Sequence, residues 1–410
     1  MKKLLLVLLI LSLFINHLNA NEKDLNIIQK DKKEYRLLDK ESIQTRQQSQ
    51  KYDWISPIDL SGNIGRNHSF SDENSRNLNN KNTKSASIGF TQSIFESGGI
   101  GFKMDYADNR FKYEMLSWEN QNSQLIYTIY NTLLDIKKLK LEINQNDYRI
   151  VNKDIELIIK KIQYEAGKTD IIELNNAIMS KNLIQKEEIA LKNSLKEKEQ
   201  ELAKYTDLKY DEIEILDFQE TNKDIFLDKN YSILEADAKV EMLNSEYKIK
   251  KSQYLPKLSL SAKASYSNQD EKFNSMINDT NKDDATSSGS LILSMPLYDY
   301  TKSSKIQESK IEVLKQKALV NDLKNETAFE YEQIFTKIDT YLKQNETINK
   351  NIKLYEELIG ANQISSEAGM TSKYDLEILE NTKTINEFDI LINKINILQQ
   401  YAKLYFKIKN

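Results

Sequence analysis

A mainly helical chain that also carries membrane-crossing β-strands is the fold class this sequence predicts, on three observations. Its 410 residues include only ten glycines and three prolines, too few turn-formers for a many-looped enzyme and suited to long uninterrupted helices. Four stretches alternate apolar with small polar residues over roughly 9 to 11 positions, the length of a strand that crosses a bilayer. The same order of elements also occurs twice.

Composition removes several functional classes. There is no cysteine, so thiolate nucleophiles, disulfide frameworks and cysteine-ligated metal centres are excluded. The two histidines are His17 and His68, and only His68 lies outside the expected targeting peptide. One histidine excludes a two-histidine metal site and leaves little room for Ser-His-Asp chemistry. No cofactor is expected. A net charge of −4 argues against a nucleic-acid partner held by a basic field.

Residues 1–20 read as a signal peptide. Lys2 and Lys3 precede an apolar run from Leu4 to Ile15, and Ala20 supplies a small residue at the cut. The run falls short of the roughly 20 apolar residues of a spanning helix. Without cysteine there is no acylation at the new N-terminus.

The first repeat is expected at 21–226. It holds a helix, strands at about 55–66 and 84–96, a long helix at 102–164, a tip turn at 165–170, a helix at 171–204 and a linker at 205–226. Ile58, Leu60, Gly62 and Ile64 alternate with Asp59, Ser61 and Asn63. Ala86, Ile88, Phe90, Gln92 and Ile94 alternate with Ser85, Ser87, Gly89, Thr91 and Ser93. The hydroxyl-rich second face suits a watery lumen better than a protein core. Pro57 marks a strand start, where a residue without an N–H does least harm to a ladder.

The second repeat, 227–410, follows the same plan. After a helix come strands at about 257–267 and 288–298, a long helix at 301–366, a tip turn at 367–372 and a helix at 373–408. Pro256 marks a strand start and Pro296 a strand exit. The segments 67–83 and 269–287 read as polar loops. Three landmark pairs support duplication: EAGKTDIIEL with EAGMTSKYDL, QSIFESG with MPLYDYT, and Pro57 with Pro256, at offsets of 202, 203 and 199.

Heptad-like stripes fill the long helices, among them Ile129, Thr132, Ile136, Ile143 and Asn146 in the first repeat. Ile338, Tyr341, Asn345, Ile348 and Ile352 form another in the second. Polar interruptions within such stripes point to coiled-coil packing. At 1.5 Å per residue each long helix would run on the order of 90 Å. Gly167 and Gly369 are placed to end a helix in the left-handed conformation. The Thr169-Asp170 and Thr371-Ser372 pairs that follow them offer N-caps for the next helix.

This duplicated strand-strand-helix-turn-helix order, with QSIFESGG, MPLYDYT and EAGMTSKYDLEILENTKT, resembles the TolC family of outer-membrane efflux and secretion channels, from about residue 25 to the end. The resemblance implies a homotrimer in which each subunit gives four strands to one shared barrel in outer-membrane lipid, with the helices continuing as a tunnel through the periplasm of a Gram-negative cell. It implies a passive exit duct serving a periplasmic adaptor (a membrane fusion protein) and an inner-membrane pump of RND, ABC or MFS type. It places adaptor docking at the tips, near Gly167, Thr169, Gly369 and Thr371. Asp375 matches the family's acidic gate position, with Glu377 two residues on. The next acidic position holds Ile378 and the basic partner is replaced by Thr371. Solvated helix-start carboxylates are the competing reading of Asp375 and Glu377.

An enzyme is the weakest alternative, because no Ser, Asp or Glu stands beside a base or metal ligand. A periplasmic adaptor would need one hairpin and glycine-rich β modules. A coiled-coil scaffold would not need paired strands at matching places in both halves.

Overall fold

The computed structural model describes residues 24–69, 79–216, 218, 220–270, 282–367 and 372–409. The expected signal peptide lies outside them. A 3₁₀ turn at Asp24–Ile27 precedes α1 (Lys30–Tyr52), β1 (Asp59–Ser69), β2 (Asn79–Phe95), α2 (Gly99–Glu165), α3 (Ile171–Leu202), α4 (Lys223–Asp228) and α5 (Tyr231–Ser252). Then follow β3 (Lys257–Asp270), β4 (Lys282–Ser294), α6 (Lys302–Glu367) and α7 (Lys373–Phe406). The long helices α2 and α6 have 67 and 66 residues, as sequences without internal proline allow.

Two compact units result. One comprises residues up to 40, 116–234 and 321–410; the other comprises 41–115 and 235–320. The boundaries fall inside α1, α2, α5 and α6.

In the first unit, α2 is the hub. Ion pairs join it to α3: Lys160 to Glu173 (3.0 Å), Asp154 to Lys181 (2.5 Å) and Asp135 to Lys198 (3.4 Å). Amides join it to α7. Gln145 Nε2 donates to Asp389 (2.7 Å), Asn381 Nδ2 to Asn152 (2.9 Å), and Gln399 Nε2 to Asp135 (2.7 Å). The partners step back along α7 as they step forward along α2, as an antiparallel pair requires. On its other side α7 meets α6 through Asn393 and Asn345 (2.9 Å) and through Lys403 and Glu330 (2.8 Å). Ile129, Leu133, Leu134 and Ile136 of α2 are fully buried among these helices.

Phe226 of α4, Tyr331, Ile334 and Ile338 of α6, and Leu404 and Ile408 near the chain end close a second cluster. The chain end is pinned there by backbone: Tyr231 N–H donates to Lys407 O (2.9 Å) and Lys409 N–H to Lys229 O (2.8 Å). The short helix α4 lies across position 226, where the sequence placed the end of a linker.

In the second unit the four strands form one sheet in the order β1-β2-β3-β4, each neighbour antiparallel. β2 and β3 are adjacent although α2 to α5 come between them in sequence. The strands extend further into the polar segments than alternation predicts: β1 to Ser69, β2 from Asn79, β3 to Asp270 and β4 from Lys282. Backbone pairing such as Ser69 with Asn79 holds these residues, and pairing leaves no apolar period in a sequence of amides and hydroxyls. At the other end, residues 55–58 precede the ladder and β4 stops at Ser294 instead of 298, because Pro296 cannot donate to a ladder. The parts of α1, α2 and α5 in this unit are tied by Arg46 to Glu114 (2.9 Å) and Lys112 to Glu241 (2.8 Å).

Candidate channel surfaces

The sheet has two chemically distinct faces, and the register names them. Leu60, Ile88 and Ala264 align across three strands, and Leu258 with Leu293, on the apolar face. Leu60 is 78% exposed, Ile64 68% and Leu293 73%, so this face is not the inside of a protein core. The opposite face is a ladder of hydroxyls bonded across strands: Ser61 to Ser87 (2.9 Å), Thr91 to Ser261 (3.0 Å) and Ser265 to Thr286 (2.8 Å). Ile292, which breaks the alternation, sits on the polar face opposite Ser259. Among the hydroxyls stands Lys263, exposed and opposite Gly89. A Cβ at Gly89 would lie 3.3 Å from Lys263 Cβ and Cγ and 3.0 Å from Ala262 O. The glycine therefore leaves the space that the lysine stem crosses.

Pro57 and Pro256 precede β1 and β3 at the end of the sheet where β2 runs out. Gln92 of β2 accepts from Ser56 N–H (2.9 Å) and donates to Trp54 O (2.9 Å). Ser97 Oγ donates to Pro256 O (2.7 Å). Ser97 and Gly98 take positive φ, 51° and 87°, which turns the chain from strand into α2. Beneath the turn Glu96 is buried against Lys103 (3.0 Å). Burial alone would raise its pKa, but hydrogen bonds from Lys103 and Ser93 and the charges of Lys103 and Lys257 hold it below the usual carboxylate value. Pro296 lies beyond β4 in an exposed segment that ends where Asp299 accepts from Thr301 N–H (2.8 Å), just before α6.

The turn between α2 and α3 is a Schellman motif. Gly167 has φ +68°, its N–H donates to Tyr164 O (2.9 Å), and Lys168 N–H donates to Gln163 O (2.8 Å). Asp170, and not Thr169, caps α3 by accepting from Glu173 N–H (2.9 Å). Gly369 and Thr371 of the second turn lie outside the described residues. Ser372 caps α7, and Asp375 and Glu377 are exposed in its first turns. The hydrogen bonds from α2 to α7 closest to these turns, among the described residues, are those of Asn152 with Asn381 and Thr382. Of the expected tip and gate residues, Gly167 and Thr169 lie in the α2–α3 turn and Asp375 and Glu377 in the first turns of α7.

Gln92, Glu96, Lys263 and Asn152 were not singled out by the sequence. The signal for Asn152 and Asn381 was available, since an amide inside an apolar helical stripe needs a partner across the seam. Among the described residues no three side chains are grouped to hold a metal ion, and no helix is long and apolar enough to cross a membrane.

Residues 224–403 match the family model for outer membrane efflux proteins. No curated protein matches the sequence. The fold is that of solved TolC-like channels. It aligns with the Vibrio cholerae outer membrane protein VceC at a TM-score of 0.72 and 13% identity, covering 94% of this chain and 93% of that one. The Campylobacter jejuni CmeC outer membrane channel aligns at 0.70 and 12%, covering 92% and 84%. The open state of the Neisseria gonorrhoeae MtrE outer membrane channel aligns at 0.66 and 11%, covering 91% and 85%.

Proposed function

We propose, for a chain whose residues 224–403 match the family model for outer membrane efflux proteins, that three copies form a passive exit duct across the outer membrane and into the periplasm. The observation that carries this is the sheet: one face apolar and exposed, one face hydroxylated, and, among the described residues, no strand paired beyond β1 or β4. Lipid does not tolerate open edges, and a closed membrane barrel needs at least about eight strands. Four strands are too few. Because β1 and β4 run in opposite directions, β4 of one copy continues the antiparallel order into β1 of the next. Three copies pass the minimum, with apolar residues toward lipid and hydroxyls toward water. The two halves of the chain, 21–226 and 227–410, supply equivalent strand pairs and helical hairpins from a duplicated ancestor.

Energy comes from elsewhere. The chain has no phosphate-binding GxxxxGK[ST] sequence, so an inner-membrane pump of RND, ABC or MFS type drives transport through a periplasmic adaptor. The adaptor meets the turns around Gly167 and Thr169 and around Gly369 and Thr371. Cargo is set by the pump, in drug or metal efflux or in type I secretion. Asp375, with Glu377 close by, contributes an acidic ring at the periplasmic mouth that favours cations.

Purified protein is tested by mass in detergent and by single-channel recording in planar bilayers. A trimer that conducts, and whose cation preference and divalent-cation block fall in Asp375→Asn, supports the reading. A soluble monomer without conductance overturns the channel. A conducting Asp375→Asn variant with unchanged selectivity and block removes Asp375 from the gate.

A further inference from the structure

The exits of β2 and β4 correspond in sequence but differ in what covers them. QSIFESG at the end of β2 matches MPLYDYT at the end of β4, so Ile94 and Phe95 stand in the first repeat where Leu297 and Tyr298 stand in the second. Ile94 is 49% exposed and Phe95 53%, whereas Leu297 is 91% and Tyr298 86% exposed. The first pair is sheltered by the chain's own β3 and the residues before it. Phe95 is paired with Leu258, Ser97 Oγ donates to Pro256 O (2.7 Å), and a Cβ at Gly99 would come within 2.8 Å of Ser252 Oγ. Among the described residues no strand lies beyond β4 to do the same for the second pair.

The segment after β4 is nonetheless braced. Asp299 Oδ1 accepts from Thr301 twice, through N–H (2.8 Å) and Oγ1 (2.7 Å), and the Lys302 ammonium lies 5.3 Å from the centroid of the Tyr254 ring. This holds the backbone while Leu297, Tyr298 and Tyr300 stay exposed, although burial of such side chains is favourable. The residues before β1 show the complementary pattern. Ser252 and Tyr254, before β3, are buried, whereas Tyr52, Ile55 and Ile58, before β1, are exposed.

We infer that Leu297, Tyr298 and Tyr300 of one copy form a clasp on Tyr52, Ile55 and Ile58 of the next. The exit of β4 is then seated on the entry to β1 much as, within the chain, the exit of β2 is seated on the entry to β3. The inference rests on the barrel reading above. Antiparallel pairing of β4 with β1 of the next copy runs the residues after Ser294 alongside those before Asp59. Beyond Ser294 the ladder fails, because Pro296 has no N–H to donate, and side-chain contact takes over at the level where strands give way to helices. Aromatic side chains also settle at the interfacial layer of a bilayer, and the test distinguishes that occupant from a second copy.

The test places the photoreactive residue p-benzoylphenylalanine at Tyr298, at Ile58 or at Phe95 of the full chain, reconstitutes each variant in phospholipid vesicles and irradiates it. Denaturing gels read the number of chains joined, and peptide mapping reads the point of attachment. The Tyr298 variant should give bands of two and three chains, attached within residues 52–60. The Ile58 variant should give the same bands, attached within residues 295–302. The Phe95 variant should attach near Leu258 of its own chain and run as one chain. Attachment only within one chain, or only to lipid, at both Tyr298 and Ile58 overturns the clasp. So does a joined-chain product at Phe95 as abundant as that at Tyr298. Conductance of the same vesicles separates the two readings. A conducting channel without joined chains at Tyr298 and Ile58 defeats the clasp alone, whereas protein that neither inserts nor conducts defeats both.

Discussion

At Gly167 an added methyl group would touch nothing within 4 Å, yet alanine should be costly there. The cost is in the backbone: φ is +68°, and an L-residue held in the left-handed region loses about 1–2 kcal/mol. Gly360 is the control, since it also faces open space but lies inside the helix α6. There alanine should stabilise by about 0.5–1 kcal/mol, because glycine wastes backbone entropy in a helix. Denaturant midpoints of Gly167→Ala and Gly360→Ala should therefore move in opposite directions. If both moved upward, the turn would not depend on its left-handed residue. Gly167 was legible in EAGKTD because helix-ending glycine has a recognisable context. Gly89 was not, because its role depends on Lys263 from a distant strand, and register across such a separation leaves no local trace.

Two kinds of cross-tie hold the helices of the first unit, and they should respond differently to mutation. The α2–α3 ties are ion pairs with partly exposed partners, such as Lys181 with Asp154, and pairs near the surface contribute about 0–1 kcal/mol each. The α2–α7 ties include buried amides. Asn152 is 8% exposed, bonds Asn381 and Thr382, and leaves both without it if truncated. Losing a buried partner costs about 1–3 kcal/mol. Asn152→Ala should thus destabilise more than Lys181→Ala in equilibrium unfolding, and 1 M salt should narrow neither the difference nor the Asn152 effect. A larger loss for Lys181→Ala would refute that ranking. The extents of α2 and α6 could be read closely from sequence, because a long apolar stripe without proline has one solution. Strand ends could not, since the amide-rich residues at 67–69 and 79–83 join the ladder through backbone pairing, which leaves no apolar period in the sequence.

On the scale of the molecule, the proposed barrel requires a contact that one chain does not supply, with β1 of one copy joining β4 of another. Within a copy these strands are separated by β2 and β3, which at about 4.8 Å per step puts them on the order of 14 Å apart. A disulfide needs Cα atoms about 4.4–6.8 Å apart, so β1 and β4 cannot be bridged within one chain. The protein has no cysteine of its own, so any bridge formed by an engineered pair must join two copies. Asn63→Cys on β1, combined in turn with Asp284→Cys, Thr286→Cys or Ser288→Cys on β4, samples three registers on the polar face. One pairing should give, after oxidation, a covalent ladder on a non-reducing denaturing gel that stops at three chains and collapses to one on reduction. A ladder continuing past three would mean an open filament or a larger ring. No bridge in any register, from protein that conducts, would mean that the barrel closes through a contact other than β1 to β4. The hydroxyl and apolar faces were visible in the sequence, but only the strand order shows that β1 and β4 are the two edges of the sheet among the described residues, and that makes the proposed ring testable with so few substitutions.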